Sequence, residues 1–320
     1  MSDIATRIDA FPITIGEAVN EFARRHQATS HVLYHYTTRA GLEGILRSGG
    51  LHATHRKDMN DKGEFAFARK RIDDLLVQIG KRLDLPSAIE SLARECRSNF
   101  ERLLPQSEQS SRGFCACLTV NRDQESQWRA YADDGKGFVL GFNLFDISLN
   151  DRRQVEAGDP FLMCAPVIYD REQQEALISS LFELAILVMQ NFKQVCSQKT
   201  EDLHAFFKRV VPEVVVRLIT FIDFFKHPNY QEEREMRMIV GGNYGAFDAQ
   251  DIKYRERDGV PFLFFNLRNP SNARLPLNDI IIGPNAVFRD DIRFVEWLLD
   301  ETLYSTNHPP VVMSSVAPWA

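Results

Sequence analysis

Two long segments with apolar faces divide this chain. Residues 171–197 carry Leu177, Leu181, Leu184 and Val188, and residues 200–225 carry Phe206, Val210, Val214, Leu218 and Phe221. Those spacings put each set on one face of a helix. Short runs of strand character lie on both sides. His31–Tyr36 (HVLYHY), Leu51–Thr54, Gly113–Val120 (GFCACLTV), Gly137–Phe142 (GFVLGF) and Pro166–Tyr169 precede the pair, and Glu235–Val240, Pro261–Asn266 and Asp279–Ile282 follow it. Strands in two blocks split by helices are α+β order, not the strict alternation of a doubly wound sheet.

The remaining segments fit that frame. Residues 14–26 read as a short helix. Leu42, Ile45 and Leu46 make one helix face that Gly49-Gly50 ends. Asp61 with Glu64 fits a capping box for a helix reaching about Arg82, and Pro86 opens another to about Leu104. Pro105–Arg112 is polar and reads as a loop, Gln124–Tyr131 as one or two helical turns, and Phe288–Leu303 as a last helix. The sequence thus predicts a single domain over residues 1–303, with the pair at about 171–225 inserted into it as scaffold, lid or homodimer surface. The Pro- and Ser-rich tail, 304–320, is expected to be irregular.

Composition narrows the classes of function. The chain has 320 residues, 44% hydrophobic and 26% charged, which excludes a disordered or fibrous protein. A net charge of −6 disfavours non-specific binding to nucleic acid or anionic membrane, while leaving room for a local basic groove. No basic start followed by an apolar core marks a leader, and Leu184–Phe192 is too short to span a bilayer. Five scattered cysteines read as reduced thiols, so a cytoplasmic location is expected. Cys115 and Cys117 share a strand face and read as packing. No spacing supports a zinc site, and no GxGxxG, P-loop or HExxH is present.

Four polar clusters interrupt the apolar segments. In Tyr34-His35-Tyr36-Thr37, His35 faces away from Tyr34 and Tyr36 and shares a side with Leu33. Thr37 and Thr38 are positioned to cap the next helix. Asn60, Asp61 and Glu64 are either the capping box or carboxylates beside a pocket. Ser126–Gly137 (SQWRAYADDGKG) joins Gln127, Trp128, Arg129, Tyr131 and Lys136 to a tight turn. Arg129 suits a phosphate and Tyr131 a flat heterocycle. In Lys226–Arg237, alternation puts Glu233, Glu235 and Arg237 on one strand face. A carboxylate at a strand start facing a cleft can stabilise developing positive charge.

In this order the clusters resemble a bacterial domain family catalogued as of unknown function. Its pattern is YHYT, then ND with a Glu three residues on, SQWR.YAD.GKG with a GF, K.P with E.EWR, and IIIGP. The chain supplies it over about residues 32–300, departing at Met236, where an aromatic is usual, and at Cys115. The order His, Tyr, Glu is also similar to that of His-Tyr-Glu ADP-ribosyltransferases. That resemblance implies a split, mixed β-core with inserted helices and NAD+ as substrate without a metal. His35, with Tyr36 and Thr37 beside it, would hold a ribose hydroxyl. Tyr131 would stack on nicotinamide. Arg129 or Lys136, in the block with Gln127 and Trp128, would hold the pyrophosphate. Glu235, or alternatively Glu233, would stabilise the oxocarbenium-like centre. The acceptor would be protein, nucleic acid, nucleotide or water, and a toxin or phage-defence role follows by analogy. The competing reading is a nucleotide- or RNA-binding module of the same fold without turnover. A metal nuclease using Asp61, Glu64, Glu233 and Glu235 is a third, with no spacing behind it.

Overall fold

The structure, a computed structural model, describes residues 32–55, 58–59, 62–82, 87–110, 114–143, 161–195, 200–241, 253–256, 259–268, 272–302 and 308–319. The expected helix at 14–26, together with Asn60, Asp61 and Cys196, lies outside them. The described residues form a mixed α+β fold. Its strands are β1 (Val32–Thr37), β2 (Gly50–His55), β3 (Phe114–Thr119), β4 (Phe138–Asn143), β5 (Phe161–Pro166), β6 (Glu235–Gly241), β7 (Lys253–Tyr254), β8 (Pro261–Asn266), β9 (Leu277–Ile282) and β10 (Val311–Met313). Its helices are α1 (Arg39–Ser48), α2 (Lys62–Gly80), α3 (Ser87–Ser110), α4 (Glu125–Tyr131), α5 (Arg171–Val195), α6 (Thr200–Ile222) and α7 (Phe288–Asp300), with a 3-10 helix at Pro228–Glu233.

The chain divides into two compact units. One is helical and contains α2, α3, α5 and α6. Its core joins Ile72, Leu75 and Leu76 of α2, Leu92, Cys96 and Phe100 of α3, Ile178 and Leu181 of α5, and Val214 and Leu218 of α6. The expected pair 171–225 therefore packs with two further helices in one four-helix core. Pro212 sits inside α6 without ending it. The expected loop Pro105–Arg112 is instead the end of α3 as far as Ser110. Its Gln and Glu residues favour helix, and that run carries the backbone past Pro105.

The second unit is the sheet with α1, α4 and α7. Its strand order is β10-β9-β4-β1-β3-β2-β8-β7, with β6 on β3 and β5 on β6. Strand β3 pairs along its length with β6. It also meets β1 through Tyr34↔Thr119 at one end and β2 through Thr54↔Cys115 and His55↔Phe114 at the other. The sheet forks there. Two expectations shift. No strand forms over the expected Pro166–Tyr169: β5 lies before it and ends at Pro166, and Ile168 makes only an isolated bridge with Phe225. The tail, expected to be irregular, contains β10, which runs parallel to β9 through Val311↔Ile280, Val312↔Ile281 and Met313↔Ile282.

Alternation gives the sheet two buried faces. On one, Leu33, Phe114, Leu118, Leu140, Met236, Met238, Ile280 and Ile282 pack under Leu42, Ile45 and Leu46 of α1 and Val295, Leu298 and Leu299 of α7. Helix α1 begins at Thr38, whose side chain accepts from the Gly41 N–H at 3.2 Å, and ends at Gly49 with φ 79°. On the other face Tyr34, Tyr36, Val139 and Ile281 pack with Trp128 of α4 and with Ala132, which caps that helix.

Candidate functional site

The expected strand face with Glu233, Glu235 and Arg237 is only partly formed. Glu233 belongs to the 3-10 helix, and Arg234 takes φ 42°, which breaks the phase before β6 begins. Glu235 is the first residue of β6, and Arg237 follows it on the same face. The Arg237 Nε donates to Glu235 Oε1 at 2.8 Å and its Nη2 donates to Oε2 at 3.0 Å. The two side chains are 7% and 3% exposed, so each charge is compensated where water hardly reaches.

Cross-strand register defines their surroundings. Arg237 lies opposite Cys117 and Glu235 opposite Thr119. Cys117 Sγ is 3.8 Å from Cys115 Sγ. That contact, burial and the Glu235 charge push the Cys117 thiol well up, against the Arg237 charge. Cys117 is therefore a neutral thiol here, not a nucleophile. The Thr119 hydroxyl donates to the Glu233 carbonyl at 2.6 Å, and Asn121 Nδ2 donates to the Glu232 carbonyl at 2.6 Å. These bonds hold the strained entry to β6.

His35 does not share this face. Tyr34 is opposite Thr119, which is opposite Glu235, so these three point one way and His35 the other. His35 Nδ1 lies 3.1 Å from the Cys117 carbonyl. A carbonyl only accepts, so Nδ1 carries the proton. Burial holds the His35 pKa below 6.5, although the Cys117 bond acts the other way. Its expected place beside Glu235 is thus replaced by a backbone tie between β1 and β3. Thr37 is buried at the end of β1.

The Ser126–Gly137 block is occupied by the chain itself. Trp128 is fully buried, meets Tyr36 edge-on at 5.0 Å and donates through Nε1 to Asp123 Oδ1 at 2.7 Å. Arg129 Nε donates to Glu125 at 2.9 Å, and its guanidinium lies 4.2 Å over Trp319 of the tail. Trp319 Nε1 donates to Asp134 Oδ1 at 2.9 Å. Asp133, Asp134 and Gly135 all have positive φ, and a Cβ on Gly135 would stand 2.8 Å from the Trp319 ring. Gln127 is buried, whereas Tyr131, at 40% exposed, and Lys136 face outward. Arg129 therefore clamps the tail where a phosphate was expected.

Asp123 and Asp279 escaped the sequence reading. Asp279 holds Arg122 at 2.9 Å, next to Tyr34. Asp123 was legible only as an acid shortly before a helix. In the helical unit, Glu64 meets Lys226 Nζ at 3.3 Å, which joins the second and fourth clusters. Lys226 also lies 5.2 Å over Tyr230. Among the described residues no group of three or more His, Cys, Asp or Glu is placed to hold a metal ion, and no helix is long and apolar enough to cross a membrane.

Fold and site together describe an α+β protein with a buried acid–guanidinium pair at the entrance of an inner strand. A domain of the family described as a protein of unknown function, DUF2971, is found at residues 127–238, from Gln127 in α4 to Met238 in β6. No curated protein and no solved structure matches the chain significantly.

Proposed function

We propose that the sheet unit acts on NAD+ at the N-glycosidic bond, as an ADP-ribosyltransferase or NAD+ glycohydrolase, with Glu235 as its acid. The observation that carries this reading is the Glu235 carboxylate, nearly buried at the start of β6 and held at both oxygens by Arg237. Cleavage breaks the bond between ribose and nicotinamide. Its electron pair leaves with nicotinamide, and water or an acceptor bonds the anomeric carbon and gives up a proton. Such a step asks the protein for a fixed negative charge in a dry site rather than for covalent chemistry. The resemblance of the ordered motifs adds support. The His35 role is withdrawn from the scheme, and Tyr34, on the Glu235 side of the sheet, takes its place as the ribose-facing candidate.

A second reading, nucleotide or RNA binding without turnover, is favoured by Arg237 itself, which already satisfies the carboxylate. One experiment separates the two. The purified chain is titrated with NAD+ by calorimetry and the mixture is analysed by mass spectrometry, with and without RNA or bacterial lysate. Nicotinamide release that Glu235→Gln abolishes supports the enzyme. Binding without product over hours supports the module. Neither binding nor product sinks both.

A further inference from the structure

We propose that the C-terminal segment 308–319 positions the entrance of β6, and so Glu235, with Asp123 as the residue that transmits the hold. The segment is seated by more than its strand pairing. Ser314 N donates to the Ile282 carbonyl at 2.9 Å, and Trp319 N donates to Asn285 Oδ1 at 3.1 Å. Its two serines converge on one carboxylate. Ser314 Oγ donates to Asp123 Oδ1 at 2.6 Å, and Ser315 N and Oγ donate to Oδ2 at 2.6 and 2.7 Å.

The far side of Asp123 leads inward. Its Oδ1 also accepts from Trp128 Nε1, and the indole packs edge-on against Tyr36. The Tyr36 hydroxyl accepts from the Gln124 N–H at 2.9 Å and donates to the Asn121 carbonyl at 3.2 Å. Asn121 in turn holds the Glu232 carbonyl, and its N–H donates to the Thr119 hydroxyl at 3.0 Å, which holds the Glu233 carbonyl. The next backbone bond, Val120 N–H to the Arg234 carbonyl at 3.3 Å, ends one residue before Glu235. Every link is a directional bond or a ring contact; Trp128, Tyr36 and Thr119 in its middle are buried, while Ser315, Glu232 and Arg234 towards its ends are exposed. Arg234, at φ 42°, is the strained residue that these links restrain.

Spatial continuity becomes coupling only when a change at one end is felt at the other. Its catalytic consequence rests on the NAD+ reading, but the positioning does not. The test is amide hydrogen exchange on the full chain carrying Ser314→Ala with Ser315→Ala, and separately Trp319→Ala. Neither variant touches β3 or β6. Amides 119–121 and 232–237 should exchange about tenfold faster than in the parent, while those of β2 and β8 keep their rates. Faster exchange confined to 311–319, or spread evenly over the whole sheet, overturns the proposal. Asp123→Ala should give the same local pattern, and if it does not fold the two tail variants decide. If the parent cleaves NAD+, the tail variants should also lower its kcat. A parent without turnover ends the NAD+ reading and leaves the exchange result to stand alone.

Discussion

Arg237 grips both carboxylate oxygens of Glu235 from two residues along the same face of β6, with Cys117 opposite on β3. A pair this deeply buried is worth little against an apolar replacement, but costly to break from one side. Arg237→Met should therefore destabilise the chain by roughly 3–5 kcal/mol in urea unfolding. Combining it with Glu235→Leu should restore most of the loss. An equal loss in single and double variants would show that the guanidinium matters for contacts other than Glu235.

His35 should report itself through pH. Its folded pKa is lowered from 6.5, so the unfolded chain binds the proton more readily. Its contribution to stability is present above pH 6.5 and is lost as pH falls from there through the folded value. Denaturant midpoints of the parent and of His35→Gln should differ in slope over that window. Parallel pH profiles would remove His35 from the account.

Gly135 is fixed by two independent demands, a φ of 80° and the Trp319 ring. Gly135→Ala should cost about 1–3 kcal/mol. In a Trp319→Ala background the ring term disappears, and the same substitution should cost about 1 kcal/mol less. Strict additivity in thermal unfolding would mean that the ring does not press on the turn.

Asp123 should matter less in acid. Burial alone would raise its pKa, yet the bonds from Ser314, Trp128 and Ser315 outweigh that and lower it from 3.8. The stability it adds is complete well above pH 3.8 and fades as pH drops from 3.8 through the lower folded value. Asp123→Asn should thus be less stable than the parent near neutrality, with the gap closing below pH 3.8. A gap that persists in strong acid would contradict this.

Local rules made much of the fold readable. The alternation in Val32–Thr37 placed Leu33 and His35 on one side and Tyr34 and Tyr36 on the other, and spacing gave the buried faces of α1, of α5 at Leu177 and Leu181 and of α6 at Val210, Val214, Leu218 and Phe221, the side chains of Val188 and Phe206 lying outside the described ones. Failures came where a distant segment or a single backbone angle decides. Arg234 turns left-handed, so alternation could not be carried back from Glu235 to Glu233. Strand β10 is three residues long and exists through its parallel pairing with β9. The chemistry of Trp128, Arg129 and Asp134 was legible, but its object was not. The groups that occupy Arg129 and Asp134 include Trp319, 185 positions beyond Asp134. Side chains suited to binding an aromatic cannot reveal that the aromatic is their own.

The parallel seat of β10 also has a consequence for synthesis. Residues 311–313 leave the ribosome well after Ile280-Ile281-Ile282, the run they pair with. In that interval the nascent sheet presents three isoleucines on an open edge, the kind of surface that recruits another chain's strand. Premature stops before Val311 should therefore show themselves first as aggregation in the expressing cell, and demand for chaperones should peak late in translation.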